Sequence, residues 1–184
     1  MNMYFVALVL PEDVNAQVLQ WKNYMKQHYD CQVALRSRAH ITLIPPFWMG
    51  ADKEPSIINN LDSISNHLPC IRLKTCNFSA FKPRTIFIAT EPNPDLSKLK
   101  GDVDTFFAEK GYPLKVDKRP FRPHITIATR DLHKRDFFEA WPYFEQKKFE
   151  EEFVISTISL LRHNKVNWDV IHSAELRQSE MGLE

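Results

Sequence analysis

Ala39-His40-Ile41-Thr42-Leu43-Ile44 and, 84 residues further on, Pro123-His124-Ile125-Thr126-Ile127-Ala128-Thr129 are the stretches that decide how this chain folds. Each is a short run rich in aliphatic and β-branched residues, the pattern of a buried strand. Side chains alternate faces along a strand. His40 and Thr42 therefore share one face, and Ile41 and Leu43 take the other. His124 and Thr126 stand in the same relation to Ile125 and Ile127. Each strand buries aliphatics on one side and offers an imidazole and a hydroxyl on the other.

Working outward, the two stretches have matching surroundings. Upstream of the first lies an apolar run from Tyr4 to Leu10, then Pro11, a helical pattern and a loop. Upstream of the second lies Thr85–Thr90, then Pro92, a helical pattern and a loop. The distance from strand start to histidine is 36 residues in one case and 39 in the other. This reads as an internal duplication that gives two similar lobes with their polar strand faces opposed across one cleft.

The remaining elements follow from periodicity and breakers. A helix is expected over about 13–29, capped by Asp13, with Val14, Val18, Leu19, Trp21 and Met25 as its apolar stripe. Pro45-Pro46 should stop the second strand. A helix near 53–67 and strands near 70–80 and 84–90 come next. A helix opened by Asp95 or Ser97 runs to about Lys110, where Gly111 closes it. A helix near 133–145 precedes strands near 148–156, 157–163 and 168–176, and the last residues, from about Arg177, are expected to fray.

Composition narrows the classes. The 184 residues are 43% hydrophobic and 26% charged, as in an ordinary globular protein, with a net charge of +1. That charge provides no global field for long duplex nucleic acid but leaves room for a small anion or an RNA end. Three cysteines without a C-x-x-C pair argue against a disulfide framework or structural zinc, and suit buried thiols in a cytoplasmic protein. The apolar N-terminus lacks a basic region and reads as a strand rather than a signal peptide, and no apolar run reaches the roughly 20 residues of a membrane span. No H-E-x-x-H, H-x-H, P-loop or dinucleotide glycine pattern is present, so no metal or cofactor is expected.

Two histidines and two threonines around one cleft suit metal-free cleavage of a phosphodiester. A neutral imidazole takes a proton from the attacking water, and a protonated one gives a proton to the leaving oxygen. An unperturbed histidine pKa of about 6.5 makes both forms available near neutrality. The threonine hydroxyls can donate to non-bridging phosphate oxygens. A lone H-x-T also has a plainer reading, a structural histidine bonded to neighbouring backbone. Its recurrence in matching contexts favours a site.

The two motifs, together with the first strand and its following proline and Phe121-Arg122-Pro123-His124, resemble those of the 2H phosphoesterase superfamily. Within it they resemble the bacterial 2′-5′ RNA ligase-like proteins, also described as RNA 2′,3′-cyclic phosphodiesterases. The resemblance covers roughly residues 3–176. It implies an α+β fold: two pseudo-symmetric lobes, each a mainly antiparallel sheet with helices packed outside, around a central cleft. A single bilobal domain over 1–184 is expected, its first repeat about 3–80 and its second about 84–130 plus the C-terminal strands to about 176. It further implies that His40 and His124 are the acid–base pair and that Thr42 and Thr126 bind phosphate. The expected substrate is a cyclic nucleotide or an RNA end whose 2′,3′-cyclic phosphate is opened to a 2′-phosphate, handled by a monomer. Alternatives are a non-catalytic nucleotide- or RNA-end-binding protein, or a 2′-5′ phosphodiesterase or ligase. Pro45-Pro46 ahead of Phe47, and Thr129 where the family commonly has an arginine (here one later, Arg130), depart from its pattern.

Further substrate-binding candidates flank the motifs. Arg38 and Arg122 each precede a motif histidine by two residues and suit forked phosphate contacts. Arg36, Lys118 and Arg119 lie nearby. Phe47, Phe121 and Trp48 could stack on a base, though core packing is the commoner fate of such residues. Trp168 and Tyr112 are weaker candidates.

Overall fold

The computed structural model describes residues 1–114 and 119–178. In chain order its elements are β1 (Asn2–Val9), α1 (Glu12–Tyr29), β2 (His40–Met49), α2 (Glu54–Ser65), β3 (Ile71–Phe81), β4 (Thr85–Thr90), α3 (Pro94–Glu109), β5 (His124–Ala128), α4 (Lys134–Glu145), β6 (Glu152–Ile155), β7 (Thr157–His163) and β8 (Trp168–Glu175). A short 3-10 turn over Val33–Arg36 precedes β2. The fold is α+β, as expected.

The strands form one antiparallel sheet in the order β6-β3-β4-β5-β2-β1-β7-β8. Each half has four strands, and the halves meet where β2 touches β5. The strands do not divide at residue 80. β3 pairs with β4, and the C-terminal hairpin β7–β8 pairs with β1, so each half draws on distant parts of the chain. The helices interlock the halves further. α1 packs against β5 and α3 against β2, each against a strand of the other repeat. Accordingly one core runs through both halves, including Tyr4, Leu8, Ile41, Leu43, Ile88, Ile125 and Phe107. Leu or Ile side chains of this kind each contribute about 1.5–3 kcal/mol on full burial.

β2 does not stop at Pro45-Pro46, contrary to the sequence expectation. Tyr4 pairs with Phe47 and Val6 with Ile44, so the two prolines stand opposite Phe5 alone. This is a β-bulge, one of the few places in a sheet where a residue without an N–H is tolerated. The prolines bend the strand rather than end it. Phe47, carried past them, is 4% exposed and packs on Tyr4 with ring centroids 6.2 Å apart. It is a core residue and is not available to stack on a base.

Helix starts also differ in detail. Asp13 does not cap α1, which begins directly after Pro11 with Glu12 and Asp13 in its first turn, where their charge complements the helix dipole. α3 is capped by Asn93, whose side-chain oxygen accepts from the Leu96 N–H at 2.9 Å, and not by Asp95 or Ser97. Leu19, expected in the apolar stripe of α1, is exposed, and Lys22 takes a buried position there. Of the three cysteines only Cys31 is buried; Cys70 is half-buried and Cys76 exposed. No helix among the described residues is long and apolar enough to cross a membrane.

Candidate functional site

The halves meet at a single residue pair, Ile41 with Ile125, in antiparallel register. That register sets His40 opposite Thr126 and Thr42 opposite His124. Both isoleucines are fully buried on the core side. The two imidazoles and two hydroxyls therefore occupy the opposite face, around an approximate two-fold axis.

A second symmetry supports the duplication. Ala7 pairs with Thr42 and Val6 with Ile44, which leaves Leu43 as an extra residue. Phe87 pairs with Thr126 and Ile86 with Ala128, which leaves Ile127 extra. Both bulges fall directly after the motif threonine. A bulge bends its strand and re-aims neighbouring side chains, and the two repeats use it at the same place.

Each histidine is fixed in the same way. His40 Nδ1 donates to the Arg38 carbonyl at 2.6 Å, and His124 Nδ1 donates to the Arg122 carbonyl at 2.7 Å. A carbonyl only accepts, so Nδ1 must carry the proton. In the neutral ring Nε2 is then left as the acceptor, without a hydrogen-bond partner among the described residues. Phenylalanines hold the rings: Phe5 lies 5.0 Å from His40, and Phe81 and Phe87 lie 5.1 and 5.2 Å from His124. Among the described residues the Thr42 and Thr126 hydroxyls have no protein partner, whereas that of Thr129 bonds to Thr85 at 3.0 Å. The structural role of the histidines and their availability for chemistry thus use different nitrogens of one ring.

Beside the motifs lies a cavity of about 150 Å3, with Phe5, Lys22, Ser37, His40, Thr42, Pro46, Thr126, Thr129, Arg130 and Trp168 among its lining residues. Its titratable lining groups are Lys22, His40 and Arg130, with no carboxylate among them. His124 does not line it and extends the same sheet face on the other side of the junction. Burial pushes the His40 pKa down to about 4, and the charges of Lys22 and His124 push the same way, against the Arg38 carbonyl bond that favours protonation. His124 is also lowered, chiefly by burial and further by the Arg122 charge, with the Arg122 carbonyl opposing.

The arginine candidates separate. The Arg38 guanidinium forms an ion pair with Glu12 and does not line the cavity; the residue reaches the site through its carbonyl. Arg122 lies over the Phe81 ring, 5.0 Å from its centroid, beside His124. Phe121 packs against the core and receives the Lys100 ammonium at 5.7 Å. Trp48 is 56% exposed and lies outside the cavity, whereas Trp168 lines it and meets Phe5 edge-on at 4.7 Å. Tyr112 accepts from Asn60. Lys118 lies outside the described residues.

Two basic lining residues, Arg130 and Lys22, are not among the sequence's site candidates. Arg130 adopts a left-handed φ of 58° directly after Thr129 and lines the cavity. An arginine one residue later than the family's usual position thus still borders the site. Lys22 occupies the buried stripe Val14, Val18, Lys22, Met25 of α1; the matching stripe of α3 is Leu96, Leu99, Val103, Phe107. A lysine at an otherwise apolar stripe position was the available signal.

A bilobal antiparallel sheet with one H-x-T strand from each half at its centre is the fold of the 2H phosphoesterases. The chain belongs to the 2′-5′ RNA ligase superfamily, whose family model matches residues 10–167. Among similar proteins, one from Bacillus licheniformis named "Putative phosphoesterase" is 30% identical over 113 residues, covering 59% of this chain and 62% of that protein. One of the same name from Staphylococcus aureus is 24% identical over 157 residues, covering 82% of this chain and 88% of that one. Of solved structures, TT0787 of Thermus thermophilus matches with a TM-score of 0.71 at 19% identity, covering 98% of this chain and 100% of that one. Escherichia coli LigT complexed with 3′-AMP matches with a TM-score of 0.66 at 18% identity, covering 96% and 99%. At these identities the solved structures bear on the fold alone.

Proposed function

We propose that this protein is a phosphoesterase that opens 2′,3′-cyclic phosphates of nucleotides or RNA ends to 2′-phosphates, without a metal, through His40 and His124. The observation that carries this reading is the shared tautomer. Both imidazoles spend Nδ1 on a backbone carbonyl and leave Nε2 as the acceptor, on rings that share a sheet face with two threonine hydroxyls that have no partner among the described residues.

The roles divide by electrostatics. His40, held down to about 4, stays neutral and serves as base. Its Nε2 takes a proton from water while the water oxygen bonds to phosphorus. His124, under less pressure to stay neutral, serves as acid: it gives its Nε2 proton to the 3′ oxygen as the P–O3′ bond breaks. Each transfer contributes about 10²–10⁴-fold. Thr42 and Thr126 donate to the non-bridging oxygens, where charge accumulates. Resemblance to the named phosphoesterases and to LigT, whose structures include one with 3′-AMP, supports a nucleotide-like substrate.

The test is incubation of chelator-treated protein with the four nucleoside 2′,3′-cyclic phosphates, separating 2′- from 3′-phosphate products. The reading expects the 2′-phosphate alone. Formation of the 3′ isomer would overturn the leaving-group assignment. Tight binding of cyclic phosphates without turnover would make the protein a binding module.

A further inference from the structure

Lys22 is 3% exposed, as buried as the core residues around it, yet no carboxylate among the described residues pairs with it. Its ammonium donates to the Ser37 carbonyl at 3.0 Å, and the side chain lines the cavity beside His40. A buried ammonium without an anion costs free energy unless a partner arrives or the group gives up its proton. Burial already pulls its pKa down to about 8. The buried stripe of α3, in the other repeat, is by contrast wholly apolar: Leu96, Leu99, Val103 and Phe107.

We propose that Lys22 is a phosphate-binding residue of the cleft, its ammonium pairing with a non-bridging oxygen of the phosphate held between the two motifs. This rests on the proposed phosphoesterase reading for which phosphate is meant, but the anion site itself does not require turnover. The charged or titratable groups facing the cavity are Lys22 from α1, His40 from β2 and Arg130 from the turn after β5. All are basic, so the cavity attracts an anion although the whole chain is nearly neutral. His40 is neutral above about 4, so near neutrality Lys22 is the cation on the His40 wall. Protonated Lys22 binds phosphate; as pH rises through about 8 the proton is lost and affinity falls.

The experiment is calorimetric titration of inorganic phosphate into wild type, Lys22→Met and Lys22→Arg, with folding checked by circular dichroism. Lys22→Met keeps most of the buried stem and removes the charge. The expected result is an affinity loss of about 10-fold or more, the worth of one charge-assisted hydrogen bond, with partial recovery in Lys22→Arg. Equal phosphate affinity in folded Lys22→Met overturns the proposal. Should Lys22→Met not fold, the wild type still decides: the Lys22 side-chain carbon resonances should titrate at higher pH with phosphate bound. An unmoved midpoint overturns the proposal. A wild type that binds phosphate through Lys22 yet leaves cyclic phosphates intact would count against the hydrolase reading and not against this one.

Discussion

Ile41 and Ile125 are direct partners across the one pairing that joins the two halves of the sheet. Everything at the site follows from that pair. It puts a histidine of each repeat opposite a threonine of the other, and it places the approximate two-fold axis between the motifs. Under the proposed function, an anion centred there would meet a hydroxyl and an imidazole from each side, the arrangement that an acid and a base on opposite sides of phosphorus require.

The threonines provide a first prediction. Thr42→Val and Thr126→Val keep the side-chain shape and remove a hydroxyl that has no protein partner among the described residues. Each should lower kcat by about 10–10³-fold, as expected for loss of a donor to developing charge. Melting temperature should hold or rise slightly. Steady-state kinetics with a cyclic phosphate, alongside thermal denaturation, separate the two effects. A large stability loss with kcat intact would make the hydroxyls structural.

A second prediction concerns pH. The base must be neutral, so kcat/KM falls as pH drops through the His40 value of about 4. The acid must carry its proton, so kcat/KM also falls as pH rises through the His124 value, which burial holds below 6.5. The maximum should therefore lie on the acid side of neutrality. Bound phosphate raises both imidazole pKa values, which moves the kcat maximum to higher pH than that of kcat/KM. Stability follows the same sign. The folded His40 pKa is depressed, so the unfolded chain binds more protons below about 6.5, and stability present above that pH is lost as pH falls toward 4. A kcat/KM maximum above pH 7.5 would contradict the assignment.

Asp131 supports a third. Its Oδ2 accepts from the Gln32 and Val33 N–H groups at 2.6 and 2.8 Å, which pins the turn whose residues Val33 and Ala34 form the cavity wall. Asp131→Ala removes the acceptor for two N–H groups and should cost about 1–3 kcal/mol. Asp131→Asn keeps an acceptor oxygen and should cost less. Chemical denaturation of both variants checks the order, and the reverse order would show that the charge matters more than the hydrogen bonds.

The strands of the motifs, the helices near their observed bounds and the meeting of His40, Thr42, His124 and Thr126 on one sheet face are legible in the sequence, because period-two alternation and a repeated tripeptide are local signals. Pairing partners were less legible. That β3 joins β4's half while β7 and β8 return to β1 depends on long-range packing that no local pattern encodes. Pro45-Pro46 misled because proline disfavours ladders in general, whereas a bulge opposite Phe5 accommodates it. The position of Arg38 suggests a role for its guanidinium, but the fold pairs that group with Glu12 and uses the Arg38 carbonyl. Lys22 is hard to recognise because a lysine on a helix is usually solvated, and only its place on the buried stripe betrays it.

The most direct test of the central claim is turnover of a nucleoside 2′,3′-cyclic phosphate, in the presence of chelator, by wild type, His40→Ala, His124→Ala and the double variant. A pair acting on one phosphate predicts that each single loss lowers kcat by about 10²–10⁴-fold and that the double variant falls by less than the product of the two. Either single variant turning over at the wild-type rate, with its fold intact, would contradict the two-histidine mechanism.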